Sequence, residues 1–217
     1  DSLPYPARHL LDLDKYIPPP GNYYRLPSTG ILSSRGCPFQ CTYCARTGSR
    51  FQNKVKLRSV ESIIREIEFC ISTYGIYDFR FYDDVFVIPK ARLLKFCQEL
   101  IRKKIKISWN CYSRVDTMDI ELLRIMRKAG CYHIKYGVEF GTQKWLNNTK
   151  KNTTLEQARK TINATKKTGI AAKASFMLGM PGETIEEMRQ TINFAKELNP
   201  TYTTFSIFSP MPGSELF

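Results

Sequence analysis

Histidine is nearly missing from this sequence. His9 and His133 are the only two in 217 residues, and neither stands at ligand spacing from another metal-binding residue. No apolar run approaches the roughly 20 residues that a membrane helix needs. No secretory signal opens the chain. It begins at Asp1 and ends on "SPMPGSELF" with no helix stop or tail, so it reads as a piece of something longer. Seven cysteines is an odd number, and nothing resembles the disulfide framework of a secreted domain. A reducing compartment, the cytoplasm, is therefore expected.

Enough apolar residue is present for one domain with a sizeable core, at 42% of the chain. Lys and Arg exceed Asp and Glu by 33 − 20 = 13. A basic surface suits nucleic acid or acidic substrates. The lysines are scattered through "RKKIKI", "ATKKTG" and "NNTKKN", so a generally basic surface is the simpler reading. Cys70 and Cys97 sit in helical patterns, and Cys111 and Cys131 in or beside strand patterns. Such cysteines act as small buried hydrophobes.

Residues 1–29 read as an irregular lead-in, a linker from a domain upstream, because "PPPG" suits neither helix nor central strand. From residue 30 a rhythm sets in. "TGILSSRG", "YDFRFYDD", "KISWNCYSR", "YHIKYGVEFG", "AAKASFMLGM" and "YTTFSIFSP" read as strands. Five helical patterns separate them. Ser59 and Gly75 bracket the first helix, Pro89 suits the first turn of the second, and Thr117 and Gly130 bracket the third. Spacings of this size suit right-handed βαβ crossovers. The expected architecture over 30–217 is α/β: a partial six-unit parallel barrel of the TIM type, stopping after strand six. A flavodoxin-like sheet is the alternative.

Parallel α/β folds bind ligands at the C-terminal ends of their strands. The residues able to do chemistry collect there. Three cysteines follow strand one, Asp83 and Asp84 end strand two, and Ser113 and Arg114 end strand three. Glu139 ends strand four, "GMPGE" strand five and "SPMPG" strand six. One such site is an ordinary loop or helix cap; six on one rim form a pattern. Alternation along the strands sets Arg80, Tyr112, Lys135 and Lys173 on the face opposite Phe79, Trp109, Tyr136 and Phe176. A polar interior that has to find partners is expected.

"SSRGCPFQCTYCAR" concentrates the chemistry. Cys37, Cys41 and Cys44 fall within eight residues, spaced by three and then two. Structural zinc wants four ligands, often as two C-x2-C arms, and only one arm is present. A redox C-x-x-C pair leaves Cys37 unexplained. Thiolates also hold iron–sulfur clusters. Three of them would leave one iron of a cubane open.

A C-x3-C-x2-C run after a first strand, with Tyr43 just before the last cysteine, resembles the radical S-adenosylmethionine (SAM) superfamily. The resemblance spans 30–217. It implies a 4Fe-4S cluster on Cys37, Cys41 and Cys44, SAM on the open iron, and reductive cleavage of SAM to a 5′-deoxyadenosyl radical that abstracts hydrogen from a substrate. It also implies that Asp84, with Asp83 as second candidate, holds the SAM amino group, although the glycines of that family motif are absent. Glu139 is implied for the ribose hydroxyls, and Arg114 for the SAM carboxylate or a substrate charge. Tyr43, Met177 and Gly179 are implied around the adenine. A reductant such as flavodoxin or ferredoxin, and a small-molecule or RNA substrate, would be the partners. "PARHLLDLDKY", "FYDDVF", "GVEFGTQ" and "FMLGMPGET" together resemble the cobalamin-binding branch, which implies a methyltransferase-type enzyme whose corrin is held largely by an upstream domain. A tRNA methylthiotransferase-like enzyme and a non-catalytic iron–sulfur or zinc module are the alternatives.

Overall fold

The computed structural model of this chain describes residue 1, residues 3–45 and residues 54–217. Strands β1 (Ser28–Ile31), β4 (Asp78–Phe81), β5 (Ser108–Ser113), β6 (Cys131–Glu139), β7 (Ala171–Leu178) and β8 (Tyr202–Ile207) form one sheet in that order. Every pairing is parallel. A strictly sequential order is that of a barrel wall. A flavodoxin-like sheet would reverse direction at its switch point, so that alternative falls. β1 and β8 are the edges, which makes the wall a partial barrel.

Helices α1 (Val60–Tyr74), α2 (Lys90–Arg102), α3 (Ile120–Lys128), α5 (Leu155–Lys167) and α6 (Ile185–Leu198) pack on the outer face. That face supplies the core: Phe79, Phe81, Trp109, Cys111, Ile134, Tyr136, Ala174 and Phe176 are all at most 1% exposed. Phe81, Phe86, Phe96 and Trp109 form an aromatic knot with ring centroids 4.2–5.8 Å apart. Cys70, Cys97, Cys111 and Cys131 lie in this core, as their patterns suggested. Burial pushes the Cys70 thiol up to about 11.

The helix ends follow local chemistry. The Ser59 side chain accepts from Ser62 N, and Gly75 closes α1 in the left-handed conformation. Thr117 does not cap α3. Its hydroxyl donates to Arg114 O, and Asp119 caps instead, accepting from Leu122 N at 2.9 Å. Pro89 precedes α2 as its extended N-cap rather than entering the first turn. Thr154 with Gln157 and Thr184 with Glu187 form reciprocal capping boxes on α5 and α6.

The structure also departs from the simple strand–helix alternation. The first strand is not continuous through "TGILSSRG". β1 stops at Ile31, and β2 (Ser34–Arg35) pairs antiparallel with β3 (Lys56–Leu57), because Ser33 and Ser34 are drawn to Asp83. A short helix, α4 (Gln143–Asn148), stands after β6, capped by Thr142. The lead-in packs onto the barrel. It makes single turns at Arg8–Leu10 and Leu13–Lys15, buries Arg8, and covers the lower mouth of the barrel. There Tyr24 N donates to Asp78 Oδ2 and Asn110 Nδ2 to Asn22 O.

The interior face is polar, as alternation implied. Asp78, Ser108, Asn110, His133 and Lys135 are all buried. On β8 the outer residues Phe205 and Ile207 remain 44% and 77% exposed. Among the described residues no helix is long and apolar enough to cross a membrane.

Candidate active site

The cysteine loop leaves β2 at the rim formed by the C-terminal strand ends. Gly36 sits there at φ +95°, and a Cβ would come within 2.2 Å of Lys54 O. Only glycine fits such a close backbone approach at that angle. The two neighbouring acids brace the loop differently. Asp83 is 1% exposed and accepts from Ser33 N at 2.7 Å, from Ser34 Oγ at 2.6 Å and from Ser33 Oγ. Its oxygens are committed to the turn out of β1. Asp84 accepts from Gly36 N at 3.2 Å, beside Cys37. Of the two candidates for an ammonium group, Asp84 is therefore the one at the cysteine loop.

Cys41 is buried; Cys37 and Cys44 are half-buried. The loop is tied down by backbone bonds. Cys44 N donates to Cys41 O, Thr42 N to Thr149 O and Leu216 N to Thr42 O. Burial raises the Cys37 thiol above its ordinary value, and Cys41, Cys44 and Asp84 raise it further against one backbone bond from Phe39. Three thiols and a carboxylate within electrostatic reach would resist joint ionisation without a cationic centre. Among the described residues, no three His, Cys, Asp or Glu groups converge as one metal ion requires. Three thiols on one loop suit the thiolate ligation of an iron–sulfur cluster.

Arg114 lies beneath this loop, 4% exposed. It makes two 2.9 Å bonds to Asp116, donates to Lys151 O at 2.6 Å and stacks 3.7 Å from the Phe39 ring centroid. Nη1 points at Cys41 Sγ at 3.7 Å. The guanidinium expected to meet the SAM carboxylate or a substrate charge carries these contacts as well. It holds the loop, and one donor faces a cluster-type thiol.

Glu139 ends β6 in an unusual backbone. Its φ is +75°, and the β6–β7 register slips between Gly137 and Glu139. A non-glycine residue at positive φ beside a bulge is held there by its surroundings. Gly137 makes room for it: a Cβ would come within 2.1 Å of Glu139 Oε1. The carboxylate folds over the interior face and accepts from Lys151 Nζ at 3.1 Å, with Lys151 only 6% exposed at its side chain. Tyr43 stands close by. Burial, then the Glu139 charge, then the Cys41 thiol push its hydroxyl well above the usual range. Its ring packs edge-on to Phe140 at 6.3 Å. Phe140, Trp145, Leu146 and Met180 form a small apolar cluster that also takes Tyr43 and Met177. Gly179 sits beyond it at φ +82°, its N–H donating to Glu183 Oε2 at 2.6 Å. It therefore offers a ligand its carbonyl and its lack of a side chain.

Tyr43, Asp84, Glu139, Met177 and the three cysteines thus share one rim, and Arg114 lies under it. Lys151, Asp116, Gly137 and Thr149 were not foreseen. Lys151 sits in "TKKN", which reads as a solvated charge run, and nothing local marks it as buried. Gly137 between Tyr136 and Val138 was the one available signal, since glycine within a strand often marks a bulge.

Residues 31–195 match the family model described as Radical SAM superfamily. Among curated proteins, an uncharacterized methyltransferase of Pyrococcus horikoshii is 34% identical over all of this chain, which covers 46% of that protein. An anaerobic magnesium-protoporphyrin IX monomethyl ester cyclase of Rubrivivax gelatinosus is 31% identical over 96% of the chain and is covered to 37%. The chain thus spans less than half the length of these relatives. Among solved structures, the radical S-adenosylmethionine methyltransferase TsrM of Kitasatospora setae, with cobalamin and a 4Fe-4S cluster bound, superposes with a TM-score of 0.80 at 23% identity. That match covers 87% of this chain and 35% of TsrM.

Proposed function

This chain belongs to the radical SAM superfamily, and on that premise we propose that it is the core of a methyltransferase-type enzyme using a 4Fe-4S cluster, SAM and cobalamin. The observation that carries the reading is the loop of three thiols at the strand-end rim, with Asp84, Tyr43 and Glu139 around it and Arg114 below. When bound, a reduced cluster with one iron free of thiolate supplies the electron that splits SAM into methionine and a 5′-deoxyadenosyl radical.

The chain's own residues divide the remaining work. Cys37, Cys41 and Cys44 hold the cluster. Arg114 and Asp116 fix the Cys41 side of the loop. Asp84 faces the SAM ammonium, where a carboxylate is the matching group. Glu139, turned inward by its bulge, accepts the ribose hydroxyls, and Lys151 orients it. Tyr43 and Met177 supply an apolar wall for the adenine next to the Gly179 turn.

Glu139→Gln keeps the size and removes the charge. It is expected to weaken SAM binding by about 1–3 kcal/mol, the range for losing a hydrogen bond to a charged group. Calorimetry on the reconstituted protein reads this, with Asp84→Asn alongside. Unchanged affinity in both variants would remove this map of SAM contacts and leave the cluster assignment standing.

Cobalamin enters the proposal through the methyltransferase names of relatives and the cobalamin bound in TsrM. The full-length protein, purified from cells supplied with cobalamin, is expected to show corrin absorbance. The isolated chain is expected to bind corrin more weakly than the full-length protein. Absence of corrin from the full-length protein, together with a second cysteine-rich segment, would favour a methylthiotransferase instead.

A further inference from the structure

Three cations stand on the interior face of the half-barrel, below the rim. Arg80 is on β4, Lys135 on β6 and Lys173 on β7. Tyr112 of β5 is paired directly with Lys135, and Lys135 directly with Lys173, so these three side chains leave the sheet on one face side by side, and Arg80, paired with Asn110, leaves the same face two residues lower and reaches up to Tyr82. The Lys135 ammonium lies 4.9 Å from the centre of the Tyr112 ring. Arg80 donates to Tyr82 Oη at 2.8 Å, while its buried Nε meets no acceptor.

Among the described residues, no carboxylate pairs with any of the three. Elsewhere in the chain even exposed lysines reach acids, as Lys103 reaches Glu68 and Lys150 reaches Glu215. The acids of the same interior face stand at other levels, Asp84 among them at the cysteine loop, where it accepts from Gly36 N. Asp78 lies at the closed lower end, bonded to Tyr24 N and Ser108 Oγ. Glu139 lies at the rim, bonded to Lys151.

Lys135 is only 6% exposed, while its neighbour Tyr112 on the same face is 39% exposed. Solvent, and hence a ligand, reaches this level. Burial, followed by the nearby charges of Lys173 and Arg80, brings the Lys135 ammonium down to about 8. Like charges gathered in a part-buried layer cost folding free energy. An arriving anion would offset that cost.

We propose that this layer receives an oxyanionic group of the substrate, a carboxylate or a phosphoryl group, with Arg80, Lys135 and Lys173 as its counter-charges. The word "substrate" rests on the proposed function; the anion site does not. Lys135 precedes Glu139 by four residues, about 13 Å at the usual strand rise. A substrate anchored by its anion at this depth extends its uncharged part up to the rim, where the cysteine loop and Glu139 stand. The enzyme's substrates are therefore molecules with an acidic group at one end and the reacting carbon some distance from it.

The test uses the full-length protein loaded with cluster and SAM. Inorganic phosphate and acetate are titrated separately by calorimetry, and the tighter probe names the acidic group. At least one is expected to bind saturably. Lys135→Met and Lys173→Met are each expected to weaken it about tenfold, the scale of one charge-assisted contact, with SAM affinity unchanged. Lys173 is only part-buried, so Lys173→Met decides the matter if Lys135→Met fails to fold. Absence of saturable binding by either probe, unchanged affinity in the lysine variants, or competition between probe and SAM would each overturn the proposal. Competition would assign the cations to the SAM carboxylate. Failure of the cluster reading shows separately, as protein that binds the probe but retains no iron.

Discussion

Replacing Cys37, Cys41 and Cys44 together with alanine is expected to leave a folded protein that keeps no iron after anaerobic reconstitution. The unsubstituted chain is expected to hold about four irons and four sulfides, the stoichiometry of a cubane cluster. The effect is large because all three side chains sit on one loop, with no other set of donors among the described residues converging to replace them. Folding should survive, because the loop is tied by backbone bonds from Cys44 to Cys41, from Thr42 to Thr149 and from Leu216 to Thr42, none of which needs a thiol. Replacing Cys70 and Cys97 instead is expected to lower stability through lost packing and to leave the visible sulfide-to-iron absorbance intact, since both are enclosed in the apolar core. Iron retained by the triple variant and lost from the core pair would reverse the assignment.

The second large effect lies outside the cysteine loop, on the α1 side of β1. Glu66 is 1% exposed and bonds two guanidinium groups, Arg8 at 2.7 Å and Arg58 at 2.6 Å. Arg8 also donates to Thr29 Oγ1 and Gly30 O, so it fastens the lead-in to β1. Glu66→Ala would leave the Arg8 charge buried with no counter-charge. Breaking a buried pair in this way costs about 3–5 kcal/mol. At about 2–4 °C per kcal/mol for a domain of this size, a thermal melt should fall by very roughly 6–20 °C. Glu66→Gln retains an acceptor and should fall less. A drop of no more than about 1 kcal/mol for Glu66→Ala, below the usual range for a broken buried pair, would mean that the lead-in is not held by this group.

The parts of this architecture that were legible in the sequence depend on local rules. Alternation along each strand separates Phe79 and Phe81 from Arg80, and Tyr136 from Lys135, because strand side chains alternate faces. Ser59 and Gly75 bracket α1 because caps are local chemistry. The cysteine spacing is local as well. What stayed hidden depends on partners distant in the chain. Thr117 reads as a cap until its hydroxyl is spent on Arg114 O, leaving the cap to Asp119. Asp83 and Asp84 are adjacent and chemically identical. Only the distant serines that occupy Asp83 distinguish them. Arg114 reads as a rim cation, and its actual surroundings come from Phe39, Asp116 and Lys151 on three separate segments. Lys151 is hidden in a basic run, and only the fold brings it to Glu139.

The positive φ at Glu139 has a bearing on substitutions nearby. Gly137→Ala should displace the Glu139 carboxylate, since the added Cβ would overlap Oε1. Its effect on SAM affinity should therefore resemble that of Glu139→Gln while the cluster remains.

The central claim is that three cysteines of this loop carry a cluster whose remaining iron is open to SAM. Electron paramagnetic resonance of the anaerobically reconstituted, dithionite-reduced protein tests it directly, with and without SAM. The account predicts the signal of a reduced 4Fe-4S cluster whose shape changes when SAM is added, with no such signal from the triple cysteine variant. A cluster signal that SAM leaves untouched, or stoichiometric zinc in place of iron, would contradict it.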